Sequence, residues 1–377
     1  MHKDFIKVTD VIKEVFIFFL HLQKLILYMS KFNLLKVKDI RKETSQAVSI
    51  AFEVPEPLKA SYQFIAGQYL NIKYMHEGKE IRRAYSICSS PNSKELRIAV
   101  KGIDGGVFST FATQNLKIGD SLEVGVPEGK FIFEPQPHVR NNYAAFAAGS
   151  GITPVISIAQ SVLENEPEST FVLVYGNKRP EDTIFYSQLH ELQQKYIGRF
   201  YVYYTFTKVH PEGTLFGRIE KSTINFVINN KHKGTDFKAF YVCGPEDMIA
   251  LVGNVLRENN VPEDAVLFEL FTPSNDGNEI IKTEGTATIT VLVDDVETTF
   301  EISKQTDILD AALKQGIDAP YSCQGGICSS CMCRVVKGTV EMKTNHILTD
   351  NEIAEGLILS CQAYVTSDEI YVDYDDV

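Results

Sequence analysis

Basic residues are scarce: 37 Lys and Arg face 49 Asp and Glu in 377 residues, leaving a net charge of −12. That balance excludes a nucleic-acid binder, which needs surplus cations to neutralise phosphates. Long apolar runs are also missing. In VFIFFLHLQKLILYM near the N-terminus, His21, Gln23 and Lys24 leave only six uninterrupted apolar residues, Val15 to Leu20. This is too short for a membrane span or for a signal peptide's apolar region, and no small-residue cleavage site follows. No stable membrane insertion is expected. The eight histidines include no pair at helical ligand spacing, and His190-Glu191 lacks the second His of a zinc-protease motif. No internal repeat or low-complexity tract is visible. Cysteines number only seven, an odd count, and four crowd between 323 and 333. A secreted disulfide framework is thereby excluded, and a reducing, cytoplasmic setting is expected.

At roughly 150 residues per domain, the length predicts two or three domains. Residues 1–31 read as a non-essential extension. Met29 is a candidate translation start, with a weak amphipathic membrane contact as the alternative. Residues 32–137 carry short strands broken by turns, at Leu34–Ile40, Ala47–Glu53, Gln68–Tyr74, Ile81–Cys88, Leu96–Lys101 and Ser121–Val126, with one helix at Val107–Gln114. This texture predicts an antiparallel barrel or sandwich. Residues 138–271 alternate non-periodic apolar runs (Tyr143–Ala148, Phe171–Tyr175, Phe200–Phe206, Phe240–Cys243, Ala265–Leu270) with helices at Pro154–Leu163, Ile184–Tyr196 and Glu246–Glu258. Strands buried on both faces suit an α/β domain with a parallel sheet. Polar residues 272–285 read as a linker. Residues 286–377 begin with a hairpin, Thr288–Val293 and Thr298–Ile302, then a helix at Asp307–Lys314 and a Cys-rich loop. Two further strands, LILSCQAY and EIYVDY, follow. Residues 281–377 hold 17 acidic and 6 basic residues, nearly the whole net charge. This is either a solvated acidic face or a docking surface for a basic partner.

Cys323-x4-Cys328-x2-Cys331 with Cys361 thirty residues on is the plant-type [2Fe–2S] spacing, in which four thiolates hold two irons. Gly325 and Gly326 allow the loop to turn amides toward sulfur. Zinc is the weaker alternative, because zinc loops usually pair their cysteines as two short arms. Cys333 reads as a buried neighbour. Gly149-Ser150-Gly151-Ile152-Thr153-Pro154 joins a buried strand to a helix, so amides and the helix N-terminus can meet a pyrophosphate. Thr153 would act as cap and Pro154 as the first helical residue. Arg82-Arg83-Ala84-Tyr85-Ser86, Lys101, and Gly105-Gly106 with Ser109 supply an anion partner, a stacking ring and a glycine-led helix, as a flavin nucleotide requires. Cys243-Gly244-Pro245 ends a buried strand where ligands of parallel sheets bind, although Cys243 alone would read as core.

Together these motifs resemble the ferredoxin–NADP reductase superfamily, from Phe32 to the end of the chain. The C-terminal ferredoxin-type domain narrows the resemblance to reductases of multicomponent oxygenases. Residues 338–362 are similar to the reductase subunits of phenylacetyl-CoA epoxidases. The resemblance implies a flavin barrel, a parallel-sheet NAD(P) domain and a β-grasp ferredoxin domain. Arg83 would then bind the FAD phosphate, Tyr85 stack on the ring and Ser86 lie near its N5. Gly105, Gly106 and Ser109 would receive the pyrophosphate. Gly149, Gly151, Thr153 and Pro154 would hold NADP or NAD, with Cys243, Gly244 and Pro245 beside the nicotinamide. Glu269-Leu270-Phe271 matches the family's E-x-F ending, which places Phe271 against the flavin. Thr205 to Lys208 replaces the Ser-Arg pair that often reads the 2′-phosphate, so Lys178, Arg179 and Arg218 would supply that charge. The implied activity is an oxidoreductase relay from NAD(P)H through FAD and the cluster to a diiron oxygenase. Flavin divides the hydride into single electrons. A redox sensor using the same cofactors is the reading from a different class.

Overall fold

The computed structural model describes residues 32–271 and 284–377. The extension expected over residues 1–31 and most of the linker lie outside the described residues.

Six strands open the fold: β1 (Phe32–Thr44), β2 (Ala47–Glu53), β3 (Tyr69–His76), β4 (Lys79–Ser86), β5 (Leu96–Lys101) and β6 (Ser121–Gly125). They pair antiparallel in the order β4-β3-β6-β1-β2-β5. A bridge between Ile87, just past β4, and Ile98 of β5 joins the outer strands, so the sheet closes into the expected barrel. Alternate side chains such as Leu70 and Ile72 are fully buried inside it. Helix α1 (Val107–Gln114) adds Phe108 and Ala112 to that core.

The second domain contains β7 (Asn142–Ala148), β8 (Thr170–Asn177), β9 (Phe200–Phe206), β10 (Leu215–Phe216), β11 (Phe237–Gly244) and β12 (Val266–Leu270). All pairs are parallel, in the order β10-β9-β8-β7-β11-β12. The helices are α2 (Ile152–Asn165), α3 (Tyr186–Lys195), α4 (Lys221–Asn225) and α5 (Glu246–Glu258). One apolar cluster joins Ala145, Leu173 and Tyr175 to α2, and another joins Phe146, Val174 and Val242 to α5. Burial on both faces is why these strands show no alternation. The order reverses at β7, which puts the loop after it at the switch point where open α/β sheets bind ligands.

The third domain comprises β13 (Thr286–Val293), β14 (Val296–Ser303), α6 (Ile308–Lys314), β15 (Met332–Lys337), β16 (Val340–Met342), α7 (Asp350–Ala354), β17 (Leu357–Leu359), β18 (Ala363–Val365) and β19 (Glu369–Asp373). A mixed sheet in the order β14-β13-β19-β15-β17 packs against α6 in the expected β-grasp arrangement. Asp294 and Asp295 adopt φ of 51° and 61° in a two-residue hairpin turn, as the twist of the flanking strands demands. Asp307, expected as the first helical residue, instead caps α6 by accepting from the Asp310 amide at 2.8 Å. The expected strand LILSCQAY is two strands. Backbone bonds from Gln362 to Leu359 and from Ala363 to Ser360 turn the chain at Cys361, so β17 pairs with β15 while β18 pairs with β16. Among the described residues no helix is long and apolar enough to cross a membrane.

Candidate cofactor sites and active centre

Along β4 successive side chains alternate faces, so Arg82 is buried while Arg83 is exposed. Arg83 donates to the Arg82 carbonyl at 2.7 Å, and the ring of Tyr85 lies 5.5 Å from that of Phe108 at the start of α1. Gly105 has φ of +73°, and Gly106 is the N-cap of α1. A Cβ at Gly106 would lie 2.3 Å from Ser109 Oγ, whose hydroxyl donates to the Gly106 carbonyl. No side chain caps α1, so its first-turn amides remain available to an anion.

Lys101, at the end of β5, crosses to the second domain. Its Nζ lies 3.8 Å from the position of a Cβ at Gly149, and burial with nearby Lys178 holds its pKa down. Residues Gly149–Gly151 form a 3₁₀ turn that runs directly into α2. This corrects the expected helix start. The helix begins at Ile152, Thr153 Oγ1 donates to the Ser150 carbonyl at 3.1 Å and does not cap, and Pro154 sits inside the first turn. The missing proline N–H costs nothing there. A Cβ at Gly151 would lie 2.1 Å from the Cys243 carbonyl oxygen, and one at Gly244 would lie 2.6 Å from Met248. Glycine at both positions lets the loops after β7 and β11 touch. Pro245 is the N-cap residue of α5.

Glu269 pairs in register with Cys243, and its carboxylate accepts a hydrogen bond of 3.1 Å from Ser86 Oγ of the barrel. Burial pushes the Glu269 carboxyl up to about 8 and raises the Cys243 thiol well above its ordinary range. Cys243 has no exposed surface, whereas Phe271 is 37% exposed. Ser86, Glu269 and Cys243 therefore form one buried junction of the two domains. Exposed Lys178 and Arg179 follow β8, and exposed Arg218 follows β10, all on the ligand edge of the sheet. The Lys208 amide donates to the Lys178 carbonyl at 3.1 Å. None of Lys178, Arg179 and Arg218 forms an ion pair among the described residues.

In the third domain, Cys323, Cys328 and Cys331 lie on one loop and Cys361 on the turn between β17 and β18. The Cys323 thiol is within hydrogen-bonding reach of Cys328 and Cys361, and Cys331 is within reach of Cys361. The Gly325 amide points at Cys323 Sγ from 3.3 Å. Gly326 has φ of +71°, and a Cβ there would meet the Thr344 carbonyl at 2.9 Å. Four cysteines gathered on one loop and one turn, with the Gly325 amide aimed at Cys323, fit a [2Fe–2S] group. Cys333 stands apart in β15, fully buried beside Tyr374.

Sequence reasoning missed Arg82 and Tyr69. Alternation along β4 could have separated Arg82 from Arg83, but nothing local marks Tyr69, whose partners lie 260 residues away.

A model of oxidoreductase FAD-binding domains matches residues 31–133, one of oxidoreductase NAD-binding domains matches 146–254, and one of 2Fe-2S iron-sulfur cluster binding domains matches 291–366. The chain is 37% identical over 351 residues to a component of the 1,2-phenylacetyl-CoA epoxidase of Escherichia coli, covering 92% of this chain and 99% of that one. It is 30% identical to the ferredoxin reductase component of 3-ketosteroid-9-alpha-monooxygenase of Mycolicibacterium smegmatis, over 91% and 97% of the two chains. Among solved structures, phthalate dioxygenase reductase superposes with a TM-score of 0.57 at 24% identity, over 91% of this chain and 98% of that chain. Three domains in this order, matched from end to end by relatives of the same build, make the chain a member of the ferredoxin–NADP reductase superfamily, an oxidoreductase with FAD, NAD(P) and C-terminal [2Fe–2S] domains.

Proposed function

We propose that this chain is the reductase component of a phenylacetyl-CoA epoxidase, carrying electrons from NADPH through FAD and the [2Fe–2S] cluster to a diiron oxygenase in the cytoplasm. The 37% identity with a component of the Escherichia coli epoxidase, over 92% of this chain, carries this reading. Residues 338–362 add to it by their sequence resemblance to the reductase subunits of such epoxidases, and they wrap the cluster loop: the His346 amide bonds the Gly326 carbonyl at 3.1 Å, and Gln362 Nε2 bonds that of Gln324 at 3.1 Å.

Bound flavin supplies the conversion of a two-electron hydride into single electrons. The chain supplies position and a dry, uncharged junction. Arg83 holds the flavin phosphate and Tyr85 offers a ring face, while the free amides of α1 beyond Gly105 and Gly106, with Ser109, take the pyrophosphate. Lys101 bridges toward the loop after β7. The uncapped start of α2, with Gly149, Gly151, Thr153 and Pro154, receives the coenzyme pyrophosphate, and Lys178, Arg179 and Arg218 receive the 2′-phosphate. Gly244 and Pro245 would border the nicotinamide with Cys243 buried behind them, and exposed Phe271 would cover the flavin. At neutral pH Glu269 keeps its proton and accepts from Ser86, so no fixed charge opposes hydride transfer. Cys323, Cys328, Cys331 and Cys361 hold the cluster.

The deciding experiment pairs the purified protein with the epoxidase oxygenase component and measures NADPH-dependent epoxidation of phenylacetyl-CoA. Faster delivery to a ketosteroid oxygenase would favour the second reading, a reductase of another oxygenase, which 30–31% identity to such reductases supports. A redox sensor predicts no substantial steady-state oxidation of NADPH with ferricyanide as acceptor.

A further inference from the structure

Two buried side chains of the flavin barrel reach away from the barrel and hold the third domain. Arg82 is 4% exposed, with its guanidinium 4.9 Å from the Phe32 ring and 4.5 Å from the Tyr321 ring. Its Nε donates to Glu80 and its Nη2 to Asp318, both at 2.6 Å. Asp318 and Tyr321 belong to the segment that leads into Cys323. Tyr69, also 4% exposed, sits on β3 in register with Ser86. Its phenol lies 2.9 Å from Ser330 Oγ and 3.4 Å from Ser329 Oγ, the two residues between Cys328 and Cys331. Asn71 Nδ2 donates to Ser330 Oγ at 3.1 Å, and Ser330 donates onward to Glu128 at 3.3 Å. With its proton committed to Glu128, Ser330 accepts from Tyr69. Both arms of the cluster loop are thus pinned to adjacent strands, and one pin shares a register position with the serine assigned to flavin N5.

We propose that Tyr69 and Arg82 are positioning residues for flavin-to-cluster electron transfer. They seat the cluster loop on β3 and β4 beside Ser86, so the third domain serves as a docked relay and not as a carrier swinging between flavin and partner. Each transfer removes one electron from reduced flavin and converts one ferric iron of the cluster to ferrous. The phenol and guanidinium neither gain nor lose electrons. Losing the seat would break the bonds of Arg82 to Asp318 and of Tyr69 and Asn71 to Ser330 and part the guanidinium from the Tyr321 ring, a loss that opposes undocking.

The inference rests on the reductase reading for its electron route, but its geometry can be tested separately. The holoprotein is compared with Tyr69→Phe, with Asp318→Lys, which sets like charge against Arg82, and with the double variant. Asp318 has a largely exposed side chain, so its replacement leaves the domain core intact; Asp318→Asn provides a milder step in the same direction. Hydrogen exchange across residues 318–331 should rise and the radius of gyration should grow, in the order Asp318→Asn, Asp318→Lys, double variant. After anaerobic mixing with NADPH, flavin reduction should keep its rate while cluster reduction slows at least tenfold in the double variant. A double variant with wild-type exchange, dimensions and cluster reduction would overturn the proposal, as would a wild-type protein already extended in solution. Failure of the wild type to oxidise NADPH would instead defeat the reductase reading, and the exchange and scattering results would still decide the docking.

Discussion

Glu269 and Ser86 come from different domains, and burial of the carboxyl at their hydrogen-bonded junction sets a pH dependence. Burial raises the carboxyl from 4.5 to about 8. Between these values the folded chain holds a proton that the unfolded chain has released. The stabilising contribution is therefore whole below about pH 4.5 and is lost as pH rises through about 8. Relative to wild type, Glu269→Gln should gain unfolding free energy across that window, approaching about 1.4 kcal/mol per pH unit. Urea titrations at several pH values give the test, and parallel curves would show that the carboxyl is hydrated. The cysteines make a second residue-scale prediction. Cys361→Ser should abolish or badly destabilise the cluster, while Cys333→Ser should leave its visible absorbance nearly intact, and the reverse pattern would sink the ligand assignment. Spacing alone separated Cys333 from the other four, because the plant-type template has no place for it. Spacing could not show that Arg82 and Arg83 part company, since that depends on which face of β4 meets another domain.

At the scale of elements, the ends of β8 and β10 carry the cations offered to a 2′-phosphate. Neutralising Lys178, Arg179 and Arg218 should raise KM for NADPH far more than for NADH, since a charge-assisted contact is worth roughly 1.5–3 kcal/mol. Equal effects on both coenzymes would mean that these charges face only solvent. Long elements were readable from pattern: β2, β5, β9, α1 and α5 begin and end where the sequence suggests. Short ones were not. β16 and β18 have three residues each and show no period, and β10 has two. α7 was missed although Thr349 and Glu352 form a capping box at its start, a local signal that was there to be used. The early start of α2 escaped because a glycine-led 3₁₀ turn blends into a helix without a side-chain cap.

Across the whole molecule, the three-domain plan was legible because each domain has its own texture of alternation, continuous apolar runs or cysteine spacing. The contacts between domains were not, because they join residues hundreds of positions apart with no local pattern. The third domain keeps a separate apolar core, sharing no residue with the clusters of the other two. A chain ending after Asn278 should consequently retain FAD and oxidise NADPH with ferricyanide, but lose most reduction of the oxygenase and of cytochrome c. Absence of bound flavin would move the domain boundary, and full oxygenase reduction would take the cluster off the route. The acidic surplus belongs to this scale too. If it steers a basic partner, reduction of the oxygenase should slow as the Debye length falls from about 10 Å at 0.1 M salt to about 3 Å at 1 M. A flat response would make it a solubility device.

The cysteine loop is held unevenly, and that unevenness bears on turnover. Ser330 is buried against the barrel, while Cys323 is the one ligand of the four with partial exposure and Gln324 beside it is open to solvent. Charge can thus arrive by one side of the loop and depart by another without the loop letting go. An oxygenase resting on the Cys323 side would leave the flavin contact undisturbed, so two successive electrons could cross within one encounter. Tethering reductase to oxygenase should then cost little speed.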